Sequence, residues 1–279
     1  MTSLTRPVPV FMYHHIYPLK GDRLTVTPQV FEEQMKFLSA NHYRALTFEE
    51  LISVITGRLV LKERAVALTF DDGWLDNHTY AFPLLKKYGV KATAFLITNM
   101  TEEASIEAAR RATLHKAAYK KDEVSIYNAR LTWALAKEMS ESGLVRFYSH
   151  TANHRDCIPL SEDELRAELA GSKTMIGKRM GAECPYLCWP YGRYDRRVAK
   201  AAKKAGYRAL VTTAQGVADS QSDVYAIKRI GAKDSTFLFR TYATILTDPR
   251  LAGIYMAVRK RLRHFYWLVA GRQVKPYWE

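Results

Sequence analysis

The sequence predicts an α/β protein built as a (β/α) barrel of seven or eight units in a single domain. Short apolar runs alternate with helix-length amphipathic segments from one end to the other, the βαβα order of a parallel sheet. These units fill roughly 230 residues, the scale of a closed barrel. The chain of 279 residues, 48% apolar, can bury one large core, and no internal repeat, linker or low-complexity tract divides it.

The first strand is read at Pro9 to Tyr13. A helix follows over Pro28 to Ala40, with Thr27 as N-cap, Pro28 at the first helical position and Phe31, Met35 and Leu38 on one face. A short strand at Arg44 to Leu46 leads to a capping box, Thr47 with Glu50, whose helix stops near Gly57. The run Ala65 to Phe70 has the length and content of a buried strand. Phe82 to Lys87 is helical and Lys91 to Ile97 is the next strand. Residues 101–130 are polar and charge-balanced with helical propensity, and are expected to be an insertion between barrel elements. Thr132 caps a helix ending at Gly143, and Leu144 to Ser149 is a strand. Ser161 with Glu164 forms a second capping box for a helix running to about Met180. Strand Tyr186 to Trp189, helix Arg196 to Ala205 with Asp195 as N-cap, and strands near Ala209 to Thr213 and Tyr225 to Ile230 complete the set. The expected division is a barrel over residues 1–235 and a basic helical C-terminal extension over 236–279, packed on or beside it.

Formal net charge is +14, and most of it lies in two places. Residues 193–208 and 249–279 each hold seven Lys or Arg against one acid. Such runs are either solvated helix faces or a docking surface for something anionic. The segment Tyr255 to Val269 mixes Arg259, Lys260, Arg261 and Arg263 with Phe265, Tyr266, Trp267 and Leu268. It reads either as a helix lying on an anionic membrane or as a final helix packed on the barrel. No recognised nucleic-acid module or stacking motif accompanies the charge, so no nucleic-acid partner is expected. Cys157, Cys184 and Cys188 are too few and too irregular for a disulfide framework or a C-x-x-C site. The N-terminal residues run into a strand with no apolar leader, and no window is apolar enough to span a bilayer. The expected location is cytoplasmic, or peripheral on the inner face of the membrane.

Three polar clusters fall just after predicted strands, where barrels carry their sites. Asp71-Asp72-Gly73 ends the most apolar strand, and two adjacent carboxylates ionise together only if a cation or donors neutralise one. In His150-Thr151-Ala152-Asn153-His154 the two imidazoles can face one point. Thr151 excludes the zinc-protease pattern, which needs Glu there. One Asp with two His makes a three-ligand site with open positions, suited to Zn²⁺ or another divalent first-row metal (Co²⁺, Ni²⁺ or Mn²⁺). Cys188-Trp189-Pro190-Tyr191-Gly192 is a strand end turned by Pro and Gly, able to aim the Tyr191 N–H at a developing oxyanion.

Thr-Phe-Asp-Asp-Gly, His-Thr-x-x-His and Pro-Tyr-Gly, in this order, resemble the first three motifs of the NodB-homology polysaccharide deacetylases, carbohydrate esterase family 4, over roughly residues 8–232. The resemblance implies a distorted (β/α) barrel and metal-dependent removal of acetyl groups from N-acetylated sugars. By position it implies Asp71 as catalytic base, Asp72, His150 and His154 as metal ligands, and Tyr191 as oxyanion contributor. Two departures stand out. The Arg that usually opens the third motif and braces the base is replaced by Cys188, and the late Leu-x-His that supplies the general acid is missing. Tyr13-His14-His15 at the end of the first strand resembles the poly-N-acetylglucosamine deacetylase branch, whose N-terminal Tyr-His supplies the acid. By motif position the resemblance points to His14; strand alternation sends His14 and His15 to opposite faces, so only one of them can reach the metal. Arg229 is the expected stand-in for the missing brace.

The expected substrate is an N-acetylated amino sugar of a glycan or of a lipid-linked or nucleotide-linked precursor, as in envelope polysaccharide or lipopolysaccharide assembly. The competing readings are hydrolysis of a cyclic-ureide C–N bond on the same barrel and triad, and a catalytically weak carbohydrate-binding relative.

Overall fold

The computed structural model describes residues 6–19, 23–101 and 129–270. The expected helical insertion, apart from its two edges, lies outside the described residues.

Strand β1 (Val8–Tyr13) is buried except at Met12, which is half-buried, and leads into β2 (His15–Ile16), which pairs in parallel with β3 (Thr25–Val26). Helix α1 (Pro28–Ala40) buries Phe31, Met35 and Leu38, the face read from the sequence. Then come β4 (Arg44–Leu46), α2 (Phe48–Ile55), β5 (Ala65–Phe70), α3 (Phe82–Tyr88) and β6 (Ala92–Leu96). After the insertion follow α4 (Trp133–Glu141), β7 (Val145–Ser149), α5 (Glu162–Arg166), α6 (Ser172–Met180), β8 (Tyr186–Cys188), α7 (Arg196–Lys204), β9 (Ala209–Gln215), β10 (Val217–Ala218) and β11 (Ile227–Gly231). Helices α8 (Thr236–Leu246) and α9 (Pro249–Ala270) end the described chain.

The parallel strands close a ring in the order β1, β5, β6, β7, β8, β9, β11 and back to β1. Seven strands complete it, the lower of the two numbers expected, and the chain is one distorted (β/α)7 barrel. Part of the distortion is at β5, which pairs with β4 from Ala65 to Ala67 and with β1 from Ala67 to Phe70. A second irregularity is the register shift where β11 meets β9, between Ile227 and Arg229.

Local chemistry explains most boundaries. Thr47 and Ser161 each form a complete capping box, with Glu50 and Glu164 respectively, so the first orphan N–H groups of α2 and α5 are satisfied. Thr132, Asp195 and Ser235 cap α4, α7 and α8 with their side chains. The helix expected from Ser161 to Met180 is interrupted by a π turn at Ala167–Gly171. Helix α8 packs on the ring through Phe239, whose ring centroid lies 4.4 Å from that of Phe11. Among the described residues no helix is long and apolar enough to cross a membrane.

Candidate active site

The three clusters and both termini of the ring converge at the carboxyl end of the barrel. Asp71 and Asp72 follow β5, His14 follows β1, His150 and His154 follow β7, and Tyr191 follows β8, while Arg229 points inward from β11. A cavity lined by Glu49, Arg146, Tyr148, Tyr186 and Arg208 lies at the opposite end, at the amino ends of β7 to β9, and holds none of these residues.

Four non-glycine residues at this mouth have left-handed backbones: Asp72 (φ 74°), Thr151 (φ 67°), His154 (φ 58°) and Tyr191 (φ 59°). Such conformations are unfavourable, most of all for β-branched Thr151, and persist where surrounding contacts enforce them. The adjoining glycines are required by the same turns. At Gly73 (φ +70°) a Cβ would sit 2.6 Å from Leu96, and at Gly192 (φ +68°) 2.0 Å from Thr213 Oγ1. Around the histidines, Thr151 N donates to Ser149 Oγ (3.0 Å) and His154 N to Thr151 Oγ1 (3.1 Å). The loop thus folds back and brings the two imidazole centroids to 4.7 Å, an approach that i,i+4 spacing gives here without a helix.

Asp72 and the two histidines fit a divalent cation. Nε2 of His150 and Nε2 of His154 each lie 3.4 Å from Asp72 Oδ1, an oxygen that is buried without a hydrogen-bond partner. A buried carboxylate oxygen facing two nitrogens is costly unless something fills the gap between them. His150 Nδ1 lies 2.7 Å from the Cys188 carbonyl oxygen, which can only accept, so Nδ1 carries a proton; despite burial, Cys188 and Asp72 hold the His150 pKa well above the ordinary value, and a cation bound at Nε2 would take the place of the proton there. Burial, with His150 beside it, pushes His154 down to about 4, which leaves it neutral near pH 7.

Asp71 has a different fate. Both its oxygens receive Arg229, Nη1 to Oδ1 and Nη2 to Oδ2, each at 2.7 Å. The buried guanidinium uses all five of its N–H groups. Nε donates to the Thr212 carbonyl (2.9 Å), Nη1 also to Thr69 Oγ1 (3.1 Å) and Nη2 also to Cys188 Sγ (3.2 Å). Burial alone would raise the Asp71 pKa, but the charge and hydrogen bonds of Arg229 outweigh it and hold the carboxyl below its usual range. Asp71, His150 and Cys188 could also be counted as a metal-binding set. Arg229 argues against that set, because it occupies both Asp71 oxygens and the sulfur with a fixed positive charge.

His14 Nε2 is 3.9 Å from Asp71 Oδ2 on the open side of the site. Burial pushes its pKa below the ordinary value, against the pull of Asp71 and Asp72. His15 turns away and is held by Asp76, Nδ1 to Oδ2 at 2.6 Å. The Tyr191 ring stands edge-on to His154 with centroids 4.6 Å apart, and the residue is 60% exposed at the mouth.

Sequence reasoning passed over two residues. Trp74 Nε1 donates to Asp72 Oδ2 (3.1 Å), and Arg130 Nη1 donates to the Asp72 carbonyl (2.8 Å) while its guanidinium lies 3.4 Å from the Trp74 ring centroid. Together they fix Asp72 with Oδ1 turned to the histidines. Nothing in the sequence joins Arg130 to Asp72, but a Trp two places after an acid pair was a legible donor.

A parallel barrel whose carboxyl-end mouth gathers an acid pair, a histidine pair and a bracing arginine has the layout of a barrel hydrolase. The chain belongs to the polysaccharide deacetylase family, whose sequence model matches residues 59–210. It is 33% identical over 229 residues to YxkH of Bacillus subtilis, a protein of that family, covering 82% of this chain and 72% of that one. Identity to the poly-β-1,6-N-acetyl-D-glucosamine N-deacetylase of Staphylococcus epidermidis is 29% over 227 residues, 76% of this chain and 70% of that one. Among solved structures, the Streptococcus pyogenes deacetylase PplD in complex with acetate superposes with a TM-score of 0.70 at 27% identity, over 88% of this chain and all of that one. IcaB from Ammonifex degensii shares the fold, with a TM-score of 0.70 at 21% identity over 88% and 99% of the two chains. Deacetylases of this family use a divalent metal, and Asp72, His150 and His154 form a group that could hold one.

Proposed function

We propose that this chain removes the acetyl group from an N-acetylated amino sugar of a glycan, or of a lipid-linked or nucleotide-linked glycan precursor, with a divalent metal, Zn²⁺ first, held by Asp72, His150 and His154. The observation that carries the reading is the division of labour between adjacent carboxylates. Asp72 offers an unpartnered oxygen to two imidazoles, while Asp71 is locked in its charged form by Arg229. The names of the staphylococcal relatives support N-acetylglucosamine as the sugar.

The bound cation would supply Lewis acidity, lowering the pKa of a water and polarising the acetamide carbonyl. Asp71 takes the proton from the water that adds to the carbonyl, and Arg229 holds the carboxylate in register for the transfer. The Tyr191 N–H donates to the oxygen that becomes negative. His14, facing Asp71 across 3.9 Å, gives a proton to the departing nitrogen, since an amine leaves poorly without one. Acetate and a free amino sugar result.

The test is acetate release from a panel of polymeric, lipid-linked and nucleotide-linked N-acetylhexosamines, with cyclic ureides as controls, in metal-replete enzyme. Activity is expected on an N-acetylhexosamine, to vanish with a chelator and to return with Zn²⁺ or Co²⁺. Turnover of ureides alone would overturn the reading. Trp74→Phe removes the donor to Asp72 Oδ2 but keeps a ring for Arg130 and His15 to stack on. It should weaken Zn²⁺ binding in a chelator-competition titration about 10- to 100-fold, with the fold unchanged.

A further inference from the structure

Helix α9 has a face that the barrel does not cover. Its inner side is anchored to α8: Ala252 is buried, the Tyr255 ring lies 6.0 Å from that of Tyr242, and Arg259 Nη1 donates to the Tyr255 hydroxyl (3.0 Å). Next to that side Leu251, Ile254 and Val258 form a row at helical spacing, and they are 46, 62 and 50% exposed. Phe237, in the first turn of α8, is 76% exposed. An exposed aliphatic row of this kind on a helix marks an interaction surface rather than a packed core face.

Charge identifies the occupant. From Pro249 to Ala270 there is no acidic residue, while Arg250, Arg259, Lys260, Arg261 and Arg263 are cationic. The other basic run is partly neutralised within the protein, since Arg193 pairs with Asp156, Arg197 with Glu162 and Arg208 with Glu183. The excess on α9 has no such acids on its own helix. At 22 residues the helix is roughly 33 Å long, yet it is not apolar enough to cross a bilayer. Aliphatic and cationic groups on a helix that cannot span are what a headgroup layer with negative charge accommodates.

We propose that α9 lies on an anionic lipid surface, with the Leu251, Ile254 and Val258 row entering the interface and the flanking cations meeting lipid phosphates. The docking is independent of which sugar the enzyme deacetylates. The test is flotation of the full chain with vesicles of phosphatidylcholine mixed with phosphatidylglycerol, against pure phosphatidylcholine. The protein is expected to float only with the mixed vesicles, and less as salt is raised. The triple variant Leu251→Ser, Ile254→Ser, Val258→Ser should lower the bound fraction about tenfold or more while leaving the thermal unfolding transition and acetate release from a soluble substrate unchanged. Equal flotation with neutral vesicles, no flotation, or flotation that survives the triple variant overturns the proposal. So does a dimer in light scattering that the triple variant abolishes, since a second copy would then be the occupant.

Discussion

Arg229→Met is expected to cost about 3–5 kcal/mol of stability and to reduce turnover to near background, because it leaves the Asp71 carboxylate buried with no counter-charge. The side chain makes five hydrogen bonds in the barrel interior, two of them to Asp71, and methionine replaces only its length. A compensating change separates structure from chemistry. Asp71→Asn with Arg229→Met removes both charges and should recover much of the stability, since a buried ion pair can often be exchanged for neutral groups at little net cost. The double variant should still be inactive, having no base. Denaturant melts and acetate release on the three proteins check this. A single variant as stable as the parent would show that the pair carries no structural weight.

His14→Ala should behave in the opposite way. Among the described residues His14 makes no side-chain hydrogen bond to hold the fold, and its Nε2 faces Asp71 at 3.9 Å, so its loss should leave the unfolding transition and Zn²⁺ affinity near those of the parent. It should lower kcat by about 10²- to 10⁴-fold, the range for removing a general acid. His15→Ala is the control. It strips the fully buried Asp76 of its 2.6 Å partner and should destabilise by about 1–3 kcal/mol while keeping substantial turnover. Near-full activity in His14→Ala, with metal bound, would remove His14 from the acid role.

Much of the fold was legible because its signals are local. Helix α1 and strands β4 and β5 have the bounds their patterns gave, and both capping boxes form. The π turns at Asn77–Ala81 and Ala167–Gly171 were not legible, since poor helix formers such as Asn77, Thr79 and Gly171 mark a weak stretch but do not say that one extra residue is inserted in the turn. The small strands β2, β3 and β10 are too short to show a period of two. At the site, residue types and order gave the acid and histidine pairs, but not the left-handed turns at Asp72, Thr151, His154 and Tyr191. Propensity argues against those conformations, and only the neighbouring Gly73 and Gly192 hinted at them. The contact of Arg229 with Asp71 joins residues 158 apart, and its trace in the sequence was indirect: a cysteine where a brace was expected.

That long reach has a consequence for how the enzyme comes into being. The arginine that neutralises Asp71 stands on β11, the strand that seals the ring and the last of its seven in chain order. Until it arrives, a nascent chain carries an uncompensated carboxylate at the heart of its unfinished barrel. Catalytic competence therefore waits on closure of the ring, and a chain cut short before Ile227 leaves its buried base without the guanidinium that neutralises it.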